Sequence, residues 1–221
     1  MSINMSEHHV IAMDGPAASG KSSVAGAIAD RFGWVFVNTG NMYRAATLAA
    51  LRAEVDVNDK AAVIAAVDEA EVGVAVVGGR SVVTLKGEAV EDELKDQSIN
   101  LAVSHVAAVP EVREKLVAMQ RDLLQEHSLV MEGRDIGTVV FPETPWKFYI
   151  DASEEVRASR RGLQGQADAV SERDRLDSTR KVAPLKAAAD AVVIDSTELS
   201  LEQVVEEVLA ILGARGLTVK E

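Results

Sequence analysis

Cysteine is absent from the 221 residues. That excludes disulfides, thiolate metal sites and thiol catalysis, and it suits a reducing compartment. No apolar run approaches the roughly 20 residues that a membrane-spanning helix requires. The opening stretch MSINMSEHH lacks a basic segment leading into an apolar one, so no secretory signal is read and a cytoplasmic location is expected. Its His8 and His9 read as a solvent-exposed tail rather than a metal site. Positive charge is scarce: 23 Lys and Arg against 35 Asp and Glu leave a net charge of −12. A broad basic footprint for nucleic acid is therefore missing. No Asn-Lys-x-Asp stretch is present to read guanine, which removes a regulatory GTPase. Repeats, low-complexity tracts and linkers are lacking too, so one compact unit is expected.

What the chain does carry begins at VIAMDGPAASGKSS, residues 10–23. A short apolar run leads into Gly-x-x-x-x-Gly-Lys-Ser, and KSSVAGAIADRFG continues as a helix that Gly33 would stop. In that context the residues Gly15, Pro16, Ala17, Ala18, Ser19, Gly20, Lys21, Ser22 and Ser23 form a phosphate-binding loop. Small residues let backbone N–H groups curl around polyphosphate oxygens at a helix N-terminus. Lys21 reaches the outer phosphates, and Ser22 offers its hydroxyl to Mg²⁺.

Five short apolar runs read as strands: Val10–Met13, Trp34–Val37, Leu129–Met131, Trp146–Ile150 and Ala191–Ile194. They lack alternation and are interleaved with helical patterns, which predicts a doubly wound α/β fold around a five-stranded parallel sheet. Helices are predicted over 21–32, 41–53, 59–69, 97–107, 111–126, 153–164 and 201–212. Residues 72–90, two β-branched runs around Gly78-Gly79, predict a small antiparallel satellite inserted in that core. Ligands of such folds gather at the carboxyl ends of strands, where the polar clusters NTGNMYR and EGRDIGT follow the second and third runs.

Basic residues crowd one region of this acidic chain: Arg134, Lys147, Arg157, Arg160, Arg161, Arg173, Arg175, Arg180 and Lys181. Beside a phosphate loop they suggest a pocket for a small polyanion. Arg44, Arg134 and Arg180 are candidates for bidentate phosphate contacts. Asp135 suits an exocyclic amine or a ring N–H, or else orients a neighbouring arginine. Acceptors such as UMP, AMP or shikimate stay open on these grounds alone.

The blocks DGPAASGKSS, TGNMYR, AVSHVAAVPEVRE, EGRDIGTVVFP, ERDRLDSTRKVAPL and ADAVVIDST, in this order, resemble the bacterial cytidylate kinase family over essentially the whole chain. The resemblance implies transfer of the ATP γ-phosphate to CMP or dCMP, with Mg²⁺, in pyrimidine nucleotide metabolism, by a cytoplasmic monomer. It implies a single P-loop kinase domain over 1–221, with 72–98 as a monophosphate-binding insertion and 157–175 as a short lid. Ser104, Arg113 and Asp135 would read the cytosine edge, and Arg44, Arg134 and Arg180 would hold the CMP phosphate. Thr39 and Tyr43 would line the site, and Arg173 with Asp177 would reach sugar and phosphate. Lys21, Arg134, Asp135, Arg157 and Arg161 would act at the transfer itself, with the metal on Ser22.

Two departures stand out. Asn38 replaces an acid common in the family, a loss that Glu132 could offset. Only Ala167 to Val170 separate two arginine-bearing segments, so either a truncated, leaky lid or a compact two-helix hairpin capped by Ser171 is expected.

Overall fold

The computed structural model describes residues 8–163, 170–180 and 183–219, and for Leu163 and residues 170–173 the backbone alone. Five strands run parallel: β1 (Val10–Asp14), β2 (Val35–Asn38), β6 (Leu129–Gly133), β7 (Lys147–Asp151) and β8 (Val192–Asp195), in the order β2-β6-β1-β7-β8. Those beginning with Trp34, Trp146 and Ala191 in the sequence reading start one residue later and run further at their carboxyl ends. The polar residues Asp14, Asn38, Glu132 and Gly133 are thereby in the sheet, in register with one another.

Both faces of this sheet are covered, which is why its strands are apolar without alternation. Ile11 and Met13 point to one side and pack with α1 (Lys21–Phe32) and α8 (Leu201–Ala214) through Val24, Ile28, Val204 and Val208. Val10 and Ala12 point to the other, where Val117 of α5 (Pro110–Asp122) and Ile136 lie. A second core joins α2 (Thr39–Arg52), α3 (Lys60–Glu69) and α4 (Gln97–Val106). The helix ends follow local chemistry. Gly33 sits at φ 64, a left-handed stop that costs glycine nothing. Asn38, Asp59 and Ser200 cap α2, α3 and α8 through their side-chain oxygens.

The segment expected as a satellite is antiparallel, as its Gly-Gly turn predicts, but it does not stand apart. Strands β3 (Val72–Val77) and β4 (Arg80–Leu85), with the two-residue β5 (Glu88–Ala89), extend the main sheet through a parallel Phe36–Arg80 pairing. Long-range polar contacts invisible in the local pattern fix this attachment. Phe36 N–H donates to Gly79 at 2.9 Å, Asn38 N–H donates to Ser81 Oγ at 3.2 Å, and Arg80 forks onto Asp30 at 2.7 and 2.8 Å.

Two further elements follow polar clusters of the sequence, and the second is the second helix of the two-helix alternative for the lid. Residues Ile136–Val140 form a short wide helical turn, and Val170–Thr179 form α7 behind α6 (Glu154–Leu163). The first is capped from a distance: Asp14 accepts from Ile136 N–H and Gly137 N–H, both at 2.8 Å. The second has no apolar stripe to reveal its period, being tied down by its carboxylates. Residues 164–169, the middle of the expected lid 157–175, lie outside the described residues, as does the Ser171 side chain. Among the described residues no helix is long and apolar enough to cross a membrane.

Candidate active site

The loop after β1 curls at the carboxyl edge of the sheet. At Gly15 (φ 152) a Cβ would lie 2.1 Å from Ile150 O, so only glycine permits this close passage between backbones. Ala18 takes the left-handed region (φ 60), a strained choice for a non-glycine residue that helps N–H groups converge into an anion cradle. Lys21 Nζ donates to Pro16 O at 2.9 Å and lies 3.8 Å from Glu132. Ser22 Oγ donates to Glu132 Oε1 at 2.8 Å. The loop residues Ala17 to Ser23 line a cavity of about 600 Å³; Gly15 and Pro16 shape the turn beneath it. On one side the cavity runs on past Arg160 to Ser196, Leu199, Leu201 and Val204.

The opposite wall is built by five elements. The start of α2 supplies Asn38, Thr39, Tyr43 and Arg44; α4 supplies Ser104; α5 supplies Arg113; the end of β6 supplies Glu132, Arg134 and Asp135; the end of α7 supplies Asp177 and Arg180. Asn38 is spent on its cap, accepting from Asn41 N–H at 3.2 Å, and Thr39 Oγ1 donates to Glu132 O at 2.8 Å. The acid near the phosphate loop is thus Glu132, buried and joined to both Lys21 and Ser22.

Arg113 and Asp135 form a buried ion pair. Arg113 also donates to Ala107 O at 3.3 Å and lies over the Tyr43 ring at 5.4 Å. Asp177 is a hub: its Oδ1 accepts from Ser104 Oγ at 3.1 Å and from Arg180, and its Oδ2 accepts from Arg134 Nε at 3.0 Å. Burial pushes the Tyr43 phenol up to about 12, so its hydroxyl keeps its proton. Burial also lowers Arg44 to about 10, which leaves it cationic at neutral pH. Among the described residues, Arg161 Nε and Arg180 Nε are buried without hydrogen-bond partners, and both residues line the cavity. Unpaired buried donors are costly, and donors aimed at a common cavity supply what an anionic ligand needs.

The expected residues are not all brought together. Arg161 lines the cavity, whereas Arg157 does not; it turns behind the loop to pair with Asp174. Lys147 also leaves the cluster, bonding Asp190 at 2.7 and 2.9 Å. The side chain of Arg173, and Lys181, lie outside the described residues.

Three acids carry geometry that the sequence reading did not assign: Asp14, Asp174 and, in its full role, Glu132. A charge closing an otherwise apolar strand run is the signal for Asp14. Its carboxyl is raised by burial from 3.8 to about 7, against the two backbone N–H donors and with Asp135 and Lys21 nearby. A folded-state value above the unfolded one means that stability from this group is full below about pH 4 and is lost as pH rises through about 7. The variant Asp14→Asn removes this titration. The stability margin of wild type over the variant, measured by urea unfolding, is therefore expected to be larger at about pH 5 than at about pH 8. A margin constant across that range would contradict the raised value.

The cytidylate kinase family model matches residues 11–213. A cytidylate kinase of Nocardia farcinica is 46 % identical over 216 residues, spanning 92 % of this chain and 93 % of its own. One from Rhodococcus jostii is 44 % identical, spanning 93 % and 95 %, and one from Geobacillus kaustophilus 42 %, spanning 93 % and 96 %. Among solved structures, an uncharacterized protein from Eubacterium ventriosum superposes with a TM-score of 0.50 at 12 % identity, over 94 % of this chain and all of its own. That likeness concerns the fold alone.

Proposed function

This chain belongs to the cytidylate kinase family, and on that footing we propose that it transfers the γ-phosphate of ATP to CMP or dCMP, giving ADP and CDP or dCDP. One observation carries the reading: a single cavity with a phosphate loop at one end and, facing it, the Arg44, Arg134 and Arg180 guanidinium groups beside the Arg113–Asp135 pair. ATP phosphates fit the loop N–H groups and Lys21. The CMP phosphate fits the three arginines as a bidentate partner. The cytosine edge fits Ser104, Arg113 and Asp135, because the carboxylate accepts from the exocyclic amine and the guanidinium donates to the ring carbonyl. Thr39 and Tyr43 flank it, and Asp177 with Arg173 serves sugar and phosphate.

The oxygen donors at Ser22 Oγ and Glu132 Oε1, 2.8 Å apart, suit Mg²⁺, a hard cation that takes few protein ligands and keeps its waters. Bound there with ATP, it would supply positive charge across the β- and γ-phosphates. The residues do the rest by placement. Phosphoryl transfer through a loose transition state needs in-line positioning and neutralised equatorial oxygens, not a covalent intermediate. Lys21 and Arg161 bring charge to the transferred group. The acceptor is already an anion, so no strong base is required. Within one P-loop kinase domain, residues 72–98 serve the monophosphate side and 157–175 close over ATP. The same reading makes the protein a cytoplasmic monomer that acts on free nucleotides, in keeping with its net charge of −12.

Incubation with ATP, Mg²⁺ and CMP is expected to yield CDP and ADP in equal amounts, and dCMP to behave likewise. AMP and GMP are expected to be at least about a hundredfold poorer in kcat/KM, since they leave buried polar groups unpaired. Equal turnover of AMP, or transfer to shikimate instead, would overturn the cytosine assignment.

A further inference from the structure

Helix α7 carries two aspartates three residues apart, Asp174 and Asp177, which puts both on one face. Asp177 faces the acceptor side, where it gathers Ser104, Arg134 and Arg180. Asp174 faces the donor side. Its Oδ1 accepts from Ala17 N–H at 3.0 Å, and its Oδ2 pairs with Arg157. Arg157 in turn donates to Ala17 O at 3.4 Å and to Ala152 O at 3.1 Å. Both polar groups of one loop residue, Ala17, are therefore held from outside the loop by a charge pair whose side chains are only 12 % and 14 % exposed. The next residue is Ala18, whose left-handed backbone needs support from its surroundings to persist.

We infer that Asp174 is a positioning residue for phosphoryl transfer: by gripping Ala17 together with Arg157, it fixes the phosphate loop to the same helix face that organises the acceptor-side arginines. This rests on the kinase reading above and adds to it a physical link between the two substrates. In-line transfer depends on the distance and angle between donor and acceptor phosphates, and a misplacement of about 1 Å costs about a hundredfold in rate. At the helix end of the loop, Lys21 and Ser22 are tied to Glu132 on the opposite wall, but the turn at Ala17 needs its own tie. Helix α7 supplies that tie, with one carboxylate on each side. It also gives Arg157 a role suited to where it lies, which is behind the loop and not in the cavity.

The test uses the full chain and the variants Asp174→Asn, Arg157→Gln and the double variant. Asparagine keeps an oxygen for Ala17 N–H but gives up the charge that holds Arg157. The expected result is a fall in kcat for CMP of about thirtyfold in each single variant, with KM for ATP and CMP within about threefold of wild type, because positioning and not binding is lost. The double variant is expected to match the singles, since one unit has been broken. In the nucleotide-free protein, hydrogen exchange at the Ala17 amide is expected to accelerate about tenfold in Asp174→Asn, as a charge-assisted bond is weakened.

A kcat within twofold of wild type in folded Asp174→Asn, additive losses in the double variant, or unchanged exchange at Ala17 would each overturn the inference. Should Asp174→Asn not fold, the same readouts on Arg157→Gln decide the matter. Failure of the wild type to phosphorylate CMP would sink the kinase reading instead, and the exchange measurement would still judge the grip on Ala17.

Discussion

Replacing Lys21 with alanine is expected to lower kcat for phosphoryl transfer by about a thousandfold and to leave the thermal melting curve almost in place. Lys21 is buried at the mouth of the loop, with Nζ 2.9 Å from Pro16 O and 3.8 Å from Glu132. Its charge is thus already desolvated, and on the proposed reading it lies where negative charge builds on the transferred phosphoryl group. Such preorganised charge acts more strongly in the transition state than in the ground state, so its loss falls on kcat. Stability is spared for two reasons. A cation at the start of α1 opposes the helix dipole, and Glu132 keeps its hydrogen bond from Ser22 at 2.8 Å when the lysine is gone. Steady-state kinetics and a melting curve on the same preparation check both halves. A variant that unfolds, or one that retains more than about a tenth of wild-type kcat, would place the phosphate charge elsewhere.

The second large effect is expected at Asp135. Asp135→Asn keeps the shape of the side chain opposite Arg113 but removes its charge, and its amide can present either an acceptor or a donor. A carboxylate accepts from a cytosine amine and repels a uracil carbonyl at the same position, so on the proposed reading Asp135 selects by repulsion as well as attraction. The asparagine has lost the repulsion. The efficiency with CMP is expected to fall about a hundredfold while that with UMP changes little, so that preference collapses. Affinity for ATP is expected to stay near wild type, because Asp135 lies on the acceptor wall. Asn is the better choice here than Ala, since truncation would leave the Arg113 guanidinium buried and without its partner.

The donor half of this site is legible in the sequence because its chemistry is contiguous. Gly15 to Ser23 supply the cradle's own residues in one stretch, and the flanking strand and helix announce themselves by pattern. The acceptor half is legible as residue types after strands: Arg44, Arg134 and Asp135 all fall on one wall, as parallel strands with converging carboxyl ends require. What stays hidden is direction. Nothing local tells that Arg157 points to Asp174 while Arg161, one turn on, points to the cavity. Nor does it tell that Asp14 reaches 122 residues ahead to cap Ile136, or that Asp174 reaches 157 residues back to Ala17. The hairpin over 72–90 is legible from its turn, but its docking beside β2 is not, for the same reason. Its own turn is local, but the Arg80–Asp30 fork that seats it beside β2 is not. Helix α7 is legible only as one of two alternatives for the short lid, because a helix held by ion pairs shows no apolar period to read.

The claim on which the rest depends is that the buried Arg113–Asp135 wall makes this cavity an acceptor site for a cytosine monophosphate. Its most direct test is a competition in one vessel, with ATP, Mg²⁺ and equal CMP and UMP, in which CDP and UDP are separated and counted at early times for the wild type and for Asp135→Asn. The account predicts that CDP dominates with the wild type and that the CDP to UDP ratio falls by at least about thirtyfold in the variant. The same ratio in both proteins, or a wild type that forms UDP as fast as CDP, would contradict it.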